Sequence, residues 1–360
     1  MRKHSPCWAL RAVAVVAATA TIAAGLASCG ASADADHSKD GSWKTVYGNQ
    51  KLGGRYQSLA VGDAKHAWAF GNTDPDANKH TRIDRWDGKR WKPDTFPSEW
   101  TITPEFADAS SADNVWAGAQ TADKVFTLLH YDGHQWSEHQ IHFDTVRDIE
   151  AVGSNEVLLL GDGTLRRFDG TTTAQETAPT HSRFGVVMGA DDTLYAVGAR
   201  KNQPYAEKWD GRKWTSMDAP ASRPKNCSDG GFSDMYVRSV DDIWAVGNSM
   251  CGNSFKSFMG HWNGKKWTMT VDTKHNQRFD QVVDDGHGGI WVVDATGKYV
   301  HRDAAGTLTR YDAGTKDAYG NLPRIANLPG TRSMIGTATT NPKSQSSKTP
   351  PYGLVRQFQP

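Results

Sequence analysis

An excess of either charge is the first thing the sequence lacks: 41 Lys and Arg stand against 40 Asp and Glu. A nucleic-acid binder would carry a basic stripe, and an acidic tail would carry a carboxylate run, so both classes are excluded. Catalytic fingerprints are missing as well. No H-E-x-x-H pair, phosphate loop or dinucleotide turn occurs. Long apolar runs are confined to the first thirty residues, and no other stretch is long and apolar enough to cross a bilayer. Cysteine is scarce, with four in 360 residues. What is present instead is 14 Trp and 35 Gly, and the Trp content excludes global disorder.

The start of the chain reads as an address. Arg2, Lys3 and Arg11 precede an apolar run from Ala12 to Leu26, the length of a signal h-region. Losing those three basic residues leaves 38 basic against 40 acidic, a slightly negative mature chain. The run ends in Leu26-Ala27-Ser28-Cys29, small residues that suit a signal peptidase. This segment resembles the lipobox of bacterial lipoproteins. The resemblance implies a signal peptide over 1–28, with Cys29 as the new N-terminus, carrying diacylglycerol and a further acyl chain such as palmitate. Two chains give stable anchoring where one is marginal. The membrane lipid would then be one partner, and the protein would sit at the cell membrane on its extracytoplasmic side. Residues 29–40 are small and polar and read as a flexible tether.

The remainder, 41–360, is one repeating unit. A strand-like aromatic or aliphatic segment recurs at Trp68, Trp116, Leu158, Tyr195, Trp244, Trp291 and Met334, spaced 37 to 49 residues apart. Periods near forty with strand content indicate β-propeller blades. A second signature follows each of the first: Trp86-Asp87-Gly88-Lys89-Arg90-Trp91, then copies at Tyr131–Trp136, Phe168–Gly170, Trp209–Trp214 and Trp262–Trp267, with a degenerate sixth at Arg302–Gly306. Asp-Gly and Asn-Gly predict two-residue type I′ hairpins, with the flanking aromatics meeting across the strands. The seventh copy lacks its hairpin, and the missing half stands at the other end as Gly41-Ser42-Trp43-Lys44. The reading is therefore all-β: seven four-stranded antiparallel blades, closed by the N-terminal strand completing the last blade. In the first blade the strands fall at 56–62, 66–71, 81–86 and 90–94. The repeat resembles the Trp-rich propeller repeats of secreted bacterial proteins and is similar in broad topology to sialidase-type and kelch-type propellers. Two stacked β-sandwiches are the alternative, but sandwiches do not need this periodicity.

Blade topology separates two faces. The connections from first to second and from third to fourth strand are short and lie on one face. The irregular loops, at 72–80, 94–103, 216–232, 248–256, 272–277 and 337–352, lie on the other. Variable loops on a rigid scaffold are where binding resides. Cys227 and Cys251 fall in two such loops of the fifth blade, an even pair in an oxidising setting that predicts a disulfide. Arg55, Arg147, Arg183 and Arg278 each precede the first turn of their blades by six or seven residues, three followed by an aromatic, Tyr56, Phe184 and Phe279. These positions predict a cluster at the channel mouth on the long-loop face, suited to a carboxylate, phosphate or sulfated sugar. The other reading pairs the arginines with inner-strand acids such as Asp148, Glu150 and Asp280 and packs the aromatics between blades.

Several motifs fall short of chemistry. A sialidase Asp-box would read S-x-D-x-G-x-x-W, and the hairpins here lack its Ser and its spacing. Asp74-Pro75-Asp76-Ala77-Asn78 opens like a calcium loop, but Lys79 takes the glycine position and Arg85 the glutamate position. His130, His134, His139 and His142 crowd one hairpin without a fixed acid or Cys partner, which predicts a solvated outer strand and no zinc. Gly247-Asn248-Ser249-Met250-Cys251 lacks the last glycine of a nucleophile elbow. No metal, cofactor or catalytic residue is assigned. The expected role is a binding or scaffold module for a protein, peptide or cell-envelope glycan through the long-loop face. The alternative is a propeller enzyme, such as a glycosidase or a lyase of the virginiamycin B type, acting on an envelope or antibiotic substrate.

Overall fold

The computed structural model describes residues 42–48, 53–73, 80–161, 163–179, 184–190, 193–218, 227, 229–272, 274–296, 298–311, 324–339 and 352–359. They form seven four-stranded antiparallel sheets arranged as the blades of one propeller. Blade one comprises Arg55–Asp63, His66–Asn72, Thr81–Trp86 and Trp91–Pro93. Blade two comprises Phe106–Ser111, Asn114–Ala122, Val125–Tyr131 and Trp136–His142. Blade three comprises Val146–Val152, Glu156–Gly161, Thr164–Phe168 and Thr173–Glu176. Blade four comprises Phe184–Ala190, Thr193–Arg200, Gln203–Trp209 and Trp214–Ser216. Blade five comprises Asp229–Ser239, Asp242–Cys251, Ser254–Trp262 and Trp267–Asp272. Blade six comprises Phe279–Asp284, Ile290–Asp294, Tyr299–Arg302 and Leu308–Tyr311.

Blade seven is built from both ends of the chain. Ile325–Asn327, Met334–Thr339 and Gly353–Gln359 are joined by Ser42–Gly48 as the outer strand. Trp43 lies opposite Phe358 in the register. The Trp43 ring stacks on Tyr299 of blade six at 4.4 Å and meets Phe358 at 5.7 Å. Arg356 donates to the Trp43 carbonyl. Closure by the N-terminal strand follows from the split repeat and removes two open sheet edges.

Each second strand is apolar on both sides because it is sandwiched between neighbouring blades; Val157 to Leu160, for example, is wholly buried. The core is correspondingly divided among the blade boundaries. One cluster joins Trp68, Phe70 and Ile83 of blade one to Val115, Leu129 and Trp136 of blade two. Another joins Tyr56 and Trp91 of blade one to Ile335 and Val355 of blade seven, which completes the ring. Polar bonds reinforce the boundaries on the inner strands. Asp108 accepts the Ala151 amide at 2.7 Å, Glu150 the Gly189 amide at 2.8 Å, and Asp234 the Val282 amide at 2.8 Å. Gln281 exchanges two bonds with the Ile325 backbone, each 3.0 Å.

The outer hairpins differ from the expected type I′ form. Trp86 and Trp91 are opposite one another, so four residues make the loop. Only the glycine has positive φ, 84° at Gly88 and 92° at Gly133. The preceding carboxylate supplies the rest of the turn: Asp87 Oδ1 accepts the amides of Lys89 and Arg90, both at 3.0 Å. Asp132, Asp169, Asp210 and Asn263 do the same in their blades. A side chain replaces a backbone acceptor, which is why Asp or Asn stands before each of these glycines. The flanking aromatics meet as expected, with Trp86–Trp91 at 6.1 Å and Trp262–Trp267 at 5.8 Å.

Candidate functional site

A ladder of stacked side chains runs through most blades. Trp68 lies opposite Arg85, Trp116 opposite His130, Trp244 opposite His261 and Trp291 opposite His301. The imidazoles lie nearly flat on the indoles, at 3.8, 4.1 and 4.5 Å, and the Arg85 guanidinium covers Trp68 at 5.2 Å. Each stack is a favourable face contact for an aromatic quadrupole. The signal is legible in the sequence, since in most copies a basic residue or histidine immediately precedes the aromatic-Asp/Asn-Gly turn. His130 therefore does not belong to a solvated outer strand. It is 4% exposed, bonded to Asn114 Oδ1 at 3.1 Å, and burial pushes its pKa down to about 4. His139 is partly buried against Phe168, while His134 and His142 are exposed.

Histidine–carboxylate pairs occur at His66–Asp63, His261–Asp242, His275–Asp272 and His301–Asp285, at 2.8–2.9 Å. Three of the four lie on the short-turn side. The His301 pair borders a cavity of about 410 Å³ between blades six and seven, with Trp291, Phe358 and Arg332 in its walls. Among the described residues no group of three His, Cys, Asp or Glu is placed to hold a metal ion.

On the long-loop face, the expected disulfide is formed: Cys227 and Cys251 are bonded, with Cα atoms 4.0 Å apart. The first two strands of blade five, Asp229–Ser239 and Asp242–Cys251, are the longest of the described strands and end at this bridge. Exposed Met250 stands beside it. Arg278 is 46% exposed, sits 3.7 Å from Asp280 and covers the Phe255 ring at 5.7 Å. Arg147 is exposed, and Arg55 is partly buried, with its amide bonded to Asn72 Oδ1 at 3.2 Å. Tyr56 and Phe279 are buried, 3% and 1% exposed, and pack in the clusters between blades, as the other reading of these aromatics has it. Phe184 begins the inner strand of blade four. Arg183, Cys29 and much of the longest loops (74–79, 219–226, 312–323 and 340–351) lie outside the described residues.

Carboxyls also stand on the inner strands. Burial raises the pKa of Asp108, Glu150 and Asp280, and brings Asp234 to about 6. Glu150 is raised further by its neighbour Asp108.

The fold has clear counterparts. The chain is similar to YCF48 bound to D1 peptide, at 14% identity and a TM-score of 0.57, over 91% of this chain and 99% of that one. It is similar to a catalytically inactive variant of virginiamycin B lyase from Staphylococcus aureus with quinupristin, at 12% identity and a TM-score of 0.60, over 88% and 99% of the two chains. It is also similar to the WD40 propeller of Doa1, at 10% identity and a TM-score of 0.56, over 88% and 97%. No protein-family profile matches the chain, and no curated protein matches it in sequence. At these identities the likeness establishes the seven-bladed propeller and nothing finer.

Proposed function

We propose that the protein is a membrane-anchored extracytoplasmic lipoprotein whose propeller serves as a binding or scaffold module. Cys29 carries the lipid, and the long-loop face takes a protein or peptide partner, or an envelope glycan, through an anionic group. The observation that carries the reading is the construction of that face. A closed ring carries its connections, a disulfide joins Cys227 to Cys251, and Arg55, Arg147 and Arg278 stand at or next to the first residue of their inner strands, with Arg183 in the corresponding sequence position before Phe184. Guanidinium groups favour carboxylate or phosphate recognition. A structural neighbour that holds a peptide supports the same role.

The test is crosslinking in living cells followed by recovery of the lipidated protein. One discrete partner, lost when Arg55, Arg147 and Arg278 are changed together to Ala, is expected. Recovery unaffected by that triple change would overturn the choice of face. Cys29→Ala is expected to release the protein from membranes, and retention would refute the anchor.

A second reading, a lyase-type enzyme, is supported by the His301–Asp285 pair at the blade six–seven cavity and by the lyase neighbour. It predicts that cells or extracts lacking the protein leave a small substrate intact and that His301→Ala abolishes its consumption.

A further inference from the structure

Blade three breaks the stacked ladder. Where four other blades carry an indole on the second strand, it has Leu158, opposite Arg167. Its outer strand also lacks the repeat tryptophan. Trp91, Trp136, Trp214 and Trp267 stand across from the aromatic of their hairpins, whereas Thr173 stands across from Phe168. The second deficit faces blade two, where Phe168 packs, and the first faces blade four. Glu150, Leu158 and Arg167 form one cross-strand row, and Glu150 reaches the backbone of blade four, so the row faces that blade.

A cavity of about 500 Å³ opens at this boundary. Trp209 and Trp214 of blade four form one wall, their rings 5.7 Å apart. Trp214 is fixed in place because its indole N–H donates to the Thr177 carbonyl at 2.6 Å. The opposite wall is charged. Arg167 is held between Glu156 at 2.6 Å and Glu176 at 2.9 Å, and Glu150 stands at the inner end. Glu156 and Glu176 against one guanidinium leave one negative charge in excess, and burial raises the pKa of Glu150 beside them. The space is that of a small-ligand site. Indole faces attract cations, and the charge balance does the same.

We propose that the cleft between blades three and four binds a flat aromatic group bearing one positive charge, of about arylethylammonium size. The group is either a free aromatic amine or an aromatic side chain beside a basic one in a partner chain. This site is separate from the long-loop face.

The test uses the purified full chain and calorimetric titration with tryptamine, indole and indole-3-acetate. Tryptamine is expected to bind at least about tenfold more tightly than indole-3-acetate, with indole between them. Leu194→Trp fills the cleft from its blade-four wall and is expected to weaken tryptamine about tenfold or more. Should that variant fail to fold, Glu156→Gln with Glu176→Gln changes two carboxylate side chains that are 39% and 34% exposed, and is expected to reverse the order of tryptamine and indole-3-acetate. Equal affinities for the two in the unaltered protein, or an order that survives the double change, would overturn the proposal. A capped Trp-Lys dipeptide binding more tightly than tryptamine assigns the site to a partner chain, and the reverse assigns it to a free amine.

Discussion

Tyr47→Phe tests how the ring is locked shut. Tyr47 lies on the closing strand, and its hydroxyl donates to Asp84 Oδ1 at 2.7 Å. Asp84 belongs to blade one and is fully buried; its other oxygen accepts Tyr56 at 2.6 Å and Arg82 Nε at 2.6 Å. One carboxylate thus ties the N-terminal strand to the inner strand of the next blade. A hydrogen bond to a charged acceptor contributes about 1.5–3 kcal/mol. Tyr47 is only partly buried and water refills its site, so the lower end applies: about 1.5 kcal/mol, or roughly a tenfold smaller folding constant. Tyr56→Phe removes the same bond in a dry site and is expected to cost more, about 2–3 kcal/mol. Asp84→Ala strands the buried Arg82 guanidinium and both phenols, for about 3–5 kcal/mol. Urea unfolding measures the three losses, and amide exchange over residues 42–48 shows whether Tyr47→Phe loosens the closing strand first. Two results would refute the argument: Tyr47→Phe within about 0.5 kcal/mol of the parent, or Asp84→Ala no worse than Tyr47→Phe. The network also has an alkaline signature. Burial and the Asp84 carboxylate raise the Tyr47 and Tyr56 pKa values, so the folded state holds both phenols protonated. Their contribution is intact below the ordinary phenol pKa of about 10 and is lost as pH rises above it.

Acid acts on a different residue. His130 is held neutral in the fold, so its contribution is full above the ordinary imidazole pKa of about 6.5 and is lost as pH falls toward 4. His130→Asn is expected to remove on the order of 2 kcal/mol of the acid-dependent loss, visible as a flatter urea midpoint between pH 7 and 4; an unchanged pH profile would contradict its burial as the cause. Reducing Cys227–Cys251, which closes a 24-residue separation, is expected to cost up to about 3 kcal/mol while near-ultraviolet circular dichroism keeps its native form. Loss of that signal on reduction would mean that the bridge supports the core as well as the loops. Asp87→Ala and Asp132→Ala each remove the acceptor of two hairpin amides. Backbone donation lowers both carboxyl pKa values, to about 2 at Asp87, so the stability they add above the usual carboxylate range fades as pH drops through the lowered values. Each variant is therefore expected to match its parent more closely at pH 2 than at pH 7 in thermal unfolding.

Blade number, strand order and the split seventh blade are legible in the sequence because each rests on a local pattern repeated along the chain. The spacing of Trp68, Trp116 and Trp244 counts blades, and Trp43 beside a chain end without its hairpin shows how they close. The disulfide is legible because topology puts Cys227 and Cys251 on one face. The turn geometry is not, because Asp-Gly points first to backbone conformation, when the Asp87 carboxylate is the acceptor that builds the loop. The burial of His130 is hidden for a related reason. Four histidines near one hairpin look alike in one dimension, but the third-strand one turns inward onto Trp116. The Asp84 network joins Tyr56, 28 positions away in its own blade, and Tyr47, 37 positions away across a blade boundary, and no local period announces such a partnership. The cleft between Arg167 and Trp209 escapes for the opposite reason: it marks a place where the repeat fails.

The seam in blade seven also sets a timetable. Arg356 finds the Trp43 carbonyl across 313 positions of chain. The closing strand therefore precedes the strand it pairs with by nearly the whole chain and waits for it. Until then Trp43 has no Phe358, the first-made strand has an open edge, and the six intervening sheets form an arc with two unsealed ends. Through that interval the exposed edge is the aggregation hazard, and a holdase that masks residues 42–48 would cover it.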